Sequence, residues 1–340
     1  MQHQITQPSR LLNQQGELIQ KGYATSLILD YIRKDVKNKL LRLKEWDYYL
    51  IYNNDYGLAL TVGTTPAIGL IGVSFIDFKN PKEKSGISIC IGGINMPQSS
   101  EMGNINYGDT KTNLSIIHDD NKRKLCLSMK NFDVVSKINV SIELFDQPED
   151  TMVIATPFKQ SKKEFYYNQK VIGMRAAGVV SFEDKEYIFT PDSSFGLLDW
   201  GRGSWPHKVT WYWSAAQGMM DGKVFGFNLG YGFGDTSSAT ENMLFYDGIA
   251  SKLQEVNFII QKNDNVYEYM KPWVITSSDN RIEMDFIPIL DRNVDLSALI
   301  VSTQQHQVFG EFTGKAILDG GKVIDIKNFM GFAEKVKNKW

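Results

Sequence analysis

Apolar residues along this chain fall in short runs bounded by turn-forming residues, a pattern that predicts strands. LALTVGTT, IGLIGVSFIDF, GISICIG, LSIIH, LCLSM and INVSIELF are rich in Ile, Val and Phe and are separated by Gly, Asn, Asp and Pro. Such spacing belongs to a sandwich or barrel rather than to alternating strands and helices. Turn signals stand at Asn53-Asn54-Asp55, Lys79-Asn80-Pro81 and Asp119-Asp120-Asn121. Asp221-Gly222, Asp247-Gly248, Asp279-Asn280 and Asp319-Gly320-Gly321 continue the series through the second half, and all suit tight hairpin turns. No stretch sustains a long 3.6-residue period.

The pattern predicts an all-β chain in three parts: an N-terminal arm with a short helix over residues 1–45, a first β domain over 46–190 and a second over 191–340. The helix is expected in residues 23–45, where apolar and basic positions mix. SKKEFYYNQKVIG, from Ser161, is the least strand-like interval and reads as a crossover. No Pro/Ser/Gly-rich linker is present, so the two domains are expected to share an interface.

One hairpin follows in detail. With Asp221-Gly222 as a two-residue turn, Met220 faces Lys223 and Trp213 faces Gly230. Side chains alternate across a sheet. One face then carries Trp211, Trp213, Ala215, Gln217, Gly226, Asn228, Gly230 and Gly232. The other carries Tyr212, Ser214, Ala216, Phe225, Phe227, Leu229 and Tyr231, a core face. Glycine inside a strand often marks the close approach of a ligand or another backbone. The first face therefore reads as the lining of a cavity, with relief of strand curvature as the structural alternative.

Composition narrows the function classes. The length of 340 residues calls for one very large or two medium domains. With 37 basic and 39 acidic residues the net charge is -2, and no basic stripe points to nucleic acid. The N-terminus lacks an export pattern, and no apolar run is long enough to span a bilayer. Cys90 and Cys126 lie far apart without metal-ligand spacing, so buried thiols in a reducing cytoplasm are expected. The four histidines share no ligand spacing. No phosphate loop, H-E-x-x-H or nucleophile elbow is present. No metal or redox cofactor is implied.

What remains is an acid–base constellation in DWGRGSWPHKVTWYW, residues 199–213, which holds four of the seven tryptophans. Asp199 walled by tryptophan would have its charged form disfavoured and suit a general acid. Arg202 would hold a carboxylate or phosphate by its planar fork, or pair with Asp199. Trp205, Trp211 and Trp213 form the candidate wall, and Asn228 offers an amide beside it. In FYYN, Tyr166, Tyr167 and Asn168 offer hydroxyl and amide donors suited to a cavity, with Tyr167 the leading candidate. Glu241 lies in DTSSATENM, a candidate rim loop. His306, near Glu311 and two glycines, is a candidate for orienting a ligand or acting as base. Each has a packing alternative: an aromatic core corner, a structural ion pair, a capped turn, a satisfied core histidine.

KEWDYY, MVIATPF, FYYNQK, LDWGRGSWP, WYWS, GFNLGYGFGDTSSATENM, HQVFGEFTG and GFAEKVKNKW occur in order between Gly22 and Trp340. Together they resemble the family called domain of unknown function 2804. The resemblance implies a mostly β protein of the lipocalin-like, calycin group, and so two lipocalin-like antiparallel β-barrel or sandwich domains. LDWGRG followed by WYWS and a glycine-rich strand is also similar to a motif of carotenoid hydratases of the hydroxyneurosporene synthase type. Fungal cyclases with two lipocalin-like domains show a similar arrangement. Asp199, Trp200 and Gly201 match its first element, and Trp211 and Trp213 its second. The motif is shorter here, and Arg202 and Trp205 depart from it. The resemblance implies a ligand cavity between the two β domains.

Three readings stand on this basis. The first is a hydratase, isomerase or cyclase acting on an apolar, isoprenoid-like or amphipathic small molecule. The second is a binding protein for a lipid-like or sugar-like ligand. The third is a structural module whose aromatic corner staples two domains.

Overall fold

In the computed structural model, residues 2–37, 42–119, 121–133, 136–298 and 301–339 are described. The arm carries β1 (Ser9–Arg10), β2 (Gly22–Ala24), β3 (Leu29–Asp30) and a 3-10 turn at Arg33–Asp35. There follow β4 (Leu43–Tyr52), β5 (Tyr56–Thr64), β6 (Ile68–Asp77), β7 (Lys82–Ile91), β8 (Ile105–Gly108), β9 (Thr112–Asp119), β10 (Lys122–Phe132) and β11 (Ser136–Phe145). Next are β12 (Met152–Phe158), β13 (Ser161–Phe182), β14 (Lys185–Phe189), β15 (Phe195–Ser204), β16 (Lys208–Met220), β17 (Lys223–Tyr231), β18 (Met243–Tyr246) and β19 (Ile249–Lys252). The chain closes with β20 (Val256–Ile259), β21 (Lys262–Asn263), β22 (Val266–Tyr267), β23 (Trp273–Ser277), β24 (Ile282–Ala298), β25 (Val301–Ile317) and β26 (Val323–Lys339).

All of these strands except the two separate pairs β1–β3 and β21–β22 form two curled antiparallel sheets of lipocalin-like type. The first has 13 strands, in the path β7-β6-β5-β4-β15-β13-β11-β10-β9-β8 with β12, β14 and β2 attached. The second has nine, in the order β19-β18-β17-β16-β26-β25-β24-β23-β20. The first runs to Ser204, the second starts at Lys208, and Trp205–His207 joins them. No helix among the described residues is long and apolar enough to cross a membrane.

Each sheet wraps a core of its own, and a third apolar layer lies between them. The alternation in β4 shows why. Tyr49 and Ile51 enter the first core, while Tyr48, Leu50 and Tyr52 enter the layer between the sheets. Burial on both faces explains the unbroken run of large apolar and aromatic residues in YYLIY, Tyr48 to Tyr52. On the second sheet, Trp213, Phe309 and Phe332 complete that layer. Burying such a ring stabilises by about 3 kcal/mol each.

Two expectations change. The stretch expected to be a helix holds β2, β3, the 3-10 turn and the start of β4 among its described residues; residues 38–41 lie outside them. Leu29, Tyr31 and Val36 go instead into the first core, and tertiary packing overrides a weak helical pattern. The interval from Ser161, expected as a crossover, opens β13, at 22 residues a long central strand. Its polar Asn168, Gln169 and Lys170 find buried partners, so polarity there does not mark a loop. Asp120, in one expected turn, lies outside the described residues. Cys90 is buried and Cys126 half-buried, both as free thiols.

Candidate functional site

The site begins where β15 lies between β13 and β4. In the register, Asp199 pairs with Lys170 on one side and Tyr48 on the other. Alternation sends Asp199, Gly201 and Gly203 toward the second sheet, and Trp200, Arg202 and Ser204 into the first sheet's interior. Asp199 is 7% exposed. Its Oδ1 accepts from Asn168 Nδ2 at 2.6 Å and faces Lys170 Nζ at 2.9 Å, and its Oδ2 accepts from Trp46 Nε1 at 3.2 Å. The Lys170 ammonium also sits 3.8 Å from the centre of the Trp213 ring, a cation–π contact across the two sheets. Gly201 lets the Trp46 indole lie flat on the strand: an added Cβ would stand 2.1 Å from that ring.

The second sheet supplies the opposite wall. Trp211 and Trp213 project from β16, and Glu334 lies beside Trp213 on β26. Trp211 Nε1 donates to Glu334 Oε1 at 3.0 Å, and Gln307 Nε2 to Glu334 Oε2 at 3.1 Å. Gln307 Oε1 accepts in turn from Arg292 at 2.8 Å and from the Tyr48 hydroxyl at 3.2 Å. Glu241 enters from the loop after β17. Asn228 Nδ2 donates to its backbone oxygen at 2.9 Å and to its Oε2 at 3.3 Å, while Trp213 Nε1 donates to Asn228 Oδ1 at 2.7 Å. Between these walls lies a cavity of about 580 Å³, lined by Trp46, Tyr166, Trp205, Trp211, Trp213 and Phe233 and by Lys170, Asp199, Glu241 and Glu334. That volume is of the size that holds a small molecule.

The enclosure shifts proton affinities. Burial pushes the Glu334 carboxyl up to about 7, against the Trp211 hydrogen bond and the nearby Lys170 charge. Glu241 is raised for the same main reason, with Lys170 and Asn228 opposing. The Tyr166 phenol is pushed well above its usual range by burial and then by Asp199, Glu241 and Glu334. Among the described residues its hydroxyl has no hydrogen-bond partner, while its ring stacks on Trp46 at 5.7 Å. Lys44, at the rim, falls to about 8 through burial and the neighbouring Arg42. A carboxyl whose proton affinity burial raises thus shares one cavity with a carboxyl bridged to lysine.

Of the residues expected from sequence, Asp199, Trp205, Trp211, Trp213 and Glu241 line this cavity, with Asn228 directly behind them. Arg202 does not. It is fully buried on the other face of β15, bonded to Asp47 Oδ1 at 2.9 Å, Trp46 O at 2.8 Å and Pro97 O at 2.9 Å. Its guanidinium lies 4.4 Å from the Trp200 ring. Positions three apart on a strand point to opposite sides, so Asp199 and Arg202 cannot meet. Tyr167 turns into the first core, where its hydroxyl donates to Leu29 O at 2.9 Å, and its neighbour Tyr166 faces the cavity. His306 pairs with Asp291 at 2.7 Å and stacks on Tyr269 at 3.8 Å, while its neighbours Gln305 and Gln307 line the cavity.

The hairpin register holds from Tyr212–Tyr231 to Met220–Lys223, but its glycines act differently from expectation. Gly230 makes room for Glu241, whose Oε1 would be 2.7 Å from an added Cβ, and Gly226 makes room for Ile172. The cavity extends instead toward β4, β5 and β6. Sequence reasoning missed Lys170, Glu334 and Trp46 as site residues. Each lies within a segment already distinctive in sequence, FYYNQK, GFAEKVKNKW and KEWDYY, but only strand pairing brings them together. Among the described residues, no group of three or more His, Cys, Asp or Glu is placed to hold a metal.

Fold and site together define a two-sheet lipocalin-like β protein with an aromatic, carboxylate-bearing cavity between its sheets. The chain belongs to the family described as Domain of unknown function (DUF2804), whose model matches residues 2–340. Three solved structures are similar in fold. An AttH candidate from Nitrosomonas europaea aligns with a TM-score of 0.50 at 13% identity, over 86% of this chain and 92% of its own. CghA, in a structure with Sch210972, aligns at 0.53 and 10% identity, over 87% and 88%. Kievitone hydratase from Nectria haematococca aligns at 0.47 and 8% identity, over 98% of each chain. No curated protein matches the sequence.

Proposed function

We infer that this protein is an acid–base enzyme of hydratase, isomerase or cyclase type, acting on an apolar or amphipathic small molecule in the cavity between its sheets. One observation carries this reading: two carboxyl groups in the same aromatic enclosure differ in their environment. Asp199 is bridged to Lys170 at 2.9 Å, whereas Glu334 is raised to about 7. A buried carboxyl with a raised proton affinity, facing a cavity beside a second carboxyl, is a recognised sign of acid–base chemistry. Glu334 is the proton donor and Asp199 the acceptor, and Tyr166 presents its hydroxyl to the substrate. Trp46, Trp205, Trp211 and Trp213 shape the wall, and their ring faces stabilise positive charge that develops on the substrate. The solved structures share the fold at low identity, so the reading rests on these side chains alone.

A second reading keeps the ligand and drops the chemistry. It is favoured by Asp199 itself, whose oxygens already accept from Trp46 and Asn168 beside the lysine. Native mass spectrometry of freshly purified protein tests both. A discrete adduct is expected in the parent and reduced in Trp213→Ala; absence of any adduct, together with no binding of apolar probes, sinks both readings. Once weighed and identified, the ligand is offered to the parent, Asp199→Asn and Glu334→Gln. Turnover lost in either variant with affinity retained supports the enzyme, and no turnover by the parent leaves the binding protein.

A further inference from the structure

The face of the first sheet that carries Asp199 does not end at the cavity. Followed across the strands, the register gives two adjacent rows. One runs Asp199, Tyr48, Thr61, Gly72, Ile87, and the other Gly201, Trp46, Gly63, Leu70, Ile89. Each row starts at the polar aromatic site and ends on β7, the edge strand. There the same face presents Ile87, Ile89 and Ile91, with Ile68 paired to Ile91. All four isoleucines are exposed, Ile91 at 94%. Ile68, Leu70 and Ile89 also line the cavity, so the apolar ladder continues its mouth.

Between the tall aromatic wall and this ladder the side chains are Thr61, Gly63 and Gly72, all small, and the apolar Leu70. Neither glycine is demanded by backbone or packing. A Cβ at Gly63 would meet nothing nearer than 3.9 Å, and one at Gly72 nothing nearer than 3.6 Å. Gly201, by contrast, is filled from above at 2.1 Å. Glycine inside a strand costs stability that a β-branched residue would restore. Two half-exposed glycines with room for a side chain at ordinary contact distance, on the line from carboxyls to isoleucines, therefore make a low floor between wall and ladder.

We propose that this groove seats the extended apolar tail of the ligand, its polar end lying among Asp199, Glu241 and Glu334 and its tail crossing Thr61, Gly63 and Gly72 to the ladder of Ile68, Ile87, Ile89 and Ile91. The proposal rests on the reading of the cavity given above and narrows its ligand to a long-chain amphiphile. Four strand spacings separate Asp199 from Ile87, about 19 Å along the sheet.

The test uses straight-chain alcohols from octanol to tetradecanol as probes, with binding followed by quenching of tryptophan fluorescence in the whole protein. In the parent, affinity should climb with each added methylene toward the limit of about fourfold for full burial. Gly72→Val, which raises the floor, and the double variant Ile87→Asn with Ile91→Asn, which breaks the ladder, should flatten that climb for the longer alcohols. Both should leave octanol binding within twofold of the parent; Gly72→Val should raise folding stability slightly, and the double variant should leave it within error. Failure of octanol to bind the parent overturns the cavity reading together with the tail track. Octanol binding with no dependence on chain length, or a dependence unchanged in both variants, overturns the tail track alone. So does co-sedimentation with phosphatidylcholine vesicles that both variants abolish in the absence of a chain-length effect, which assigns the ladder to a lipid surface.

Discussion

Glu334→Gln gives the sharpest test of the electrostatics inside the cavity. The Glu334 carboxyl is raised from 4.5 to about 7, chiefly by burial. In the unfolded chain it ionises near its ordinary value. Between about pH 4.5 and 7 the folded protein therefore keeps a proton that the unfolded chain has released. Stability contributed by this group is full below that window, falls as pH rises through it and is lost above about 7. At about 1.4 kcal/mol per pH unit, the loss amounts to about 3 kcal/mol. The glutamine variant does not titrate, so it escapes the loss. Its carbonyl still accepts from Trp211, but its amide meets the Gln307 amide now donating to Glu334 Oε2. That conflict adds a pH-independent cost of about 1–3 kcal/mol. Urea unfolding, followed by tryptophan fluorescence from about pH 4 to 9, measures both proteins. The difference between them should move in the variant's favour by about 3 kcal/mol across the window. A difference that stays flat with pH would mean that Glu334 ionises alike in both states, and the proton-donor role would go with it.

Three more outcomes follow from the same geometry. Lys170→Met leaves Asp199 buried with the neutral donors Asn168 and Trp46 and should cost about 3–5 kcal/mol, most of it recovered when Asp199→Leu is added; a four-member unfolding cycle without coupling would contradict this. Gly201→Ala drives a methyl into the Trp46 ring and should cost about 1–3 kcal/mol, with a changed near-ultraviolet circular dichroism spectrum; an unaltered spectrum would show that the indole does not lie where described. Arg202→Lys cannot reproduce the fork to Asp47, Trp46 O and Pro97 O and should cost about 3 kcal/mol in urea unfolding. The folded fraction should bind octanol as the parent does, and a large loss of affinity would return Arg202 to the site.

How far the chain could be read ahead depended on whether a turn fixed the phase of a strand. At Asp221-Gly222 the two left-handed residues, with φ of 51° and 75°, set the hairpin, and every pair from Tyr212 to Met220 followed. Along β13 no such marker stands near FYYN, and the register slips between Val171 and Met174. The segment alone does not settle which tyrosine faces the cavity; alternation turns Tyr166 to it and Tyr167 into the first core, and a one-position slip exchanges them. In the sequence, the glycines of GRG suggest a corner that would make Asp199 and Arg202 neighbours. As a strand, the same residues point apart, and Trp46 explains one of the glycines. His306 failed the same way, since alternation gives the cavity its neighbours. Glu334 and Lys170 were beyond local pattern altogether: β26 meets β16, and β13 meets β15, across long stretches of chain.

The charged groups of the cavity are drawn from both halves, Lys170 and Asp199 from the first sheet, Glu241 and Glu334 from the second. The backbone passes from one to the other through Trp205–His207 alone. A recombination point placed there in crosses between related chains would leave both sheets whole and mix the apolar layer between them together with the lining of the hollow. Chimaeras made at that position would keep each parent's strand pairing, while their stability and ligand preference would report how far the two halves have been matched to each other.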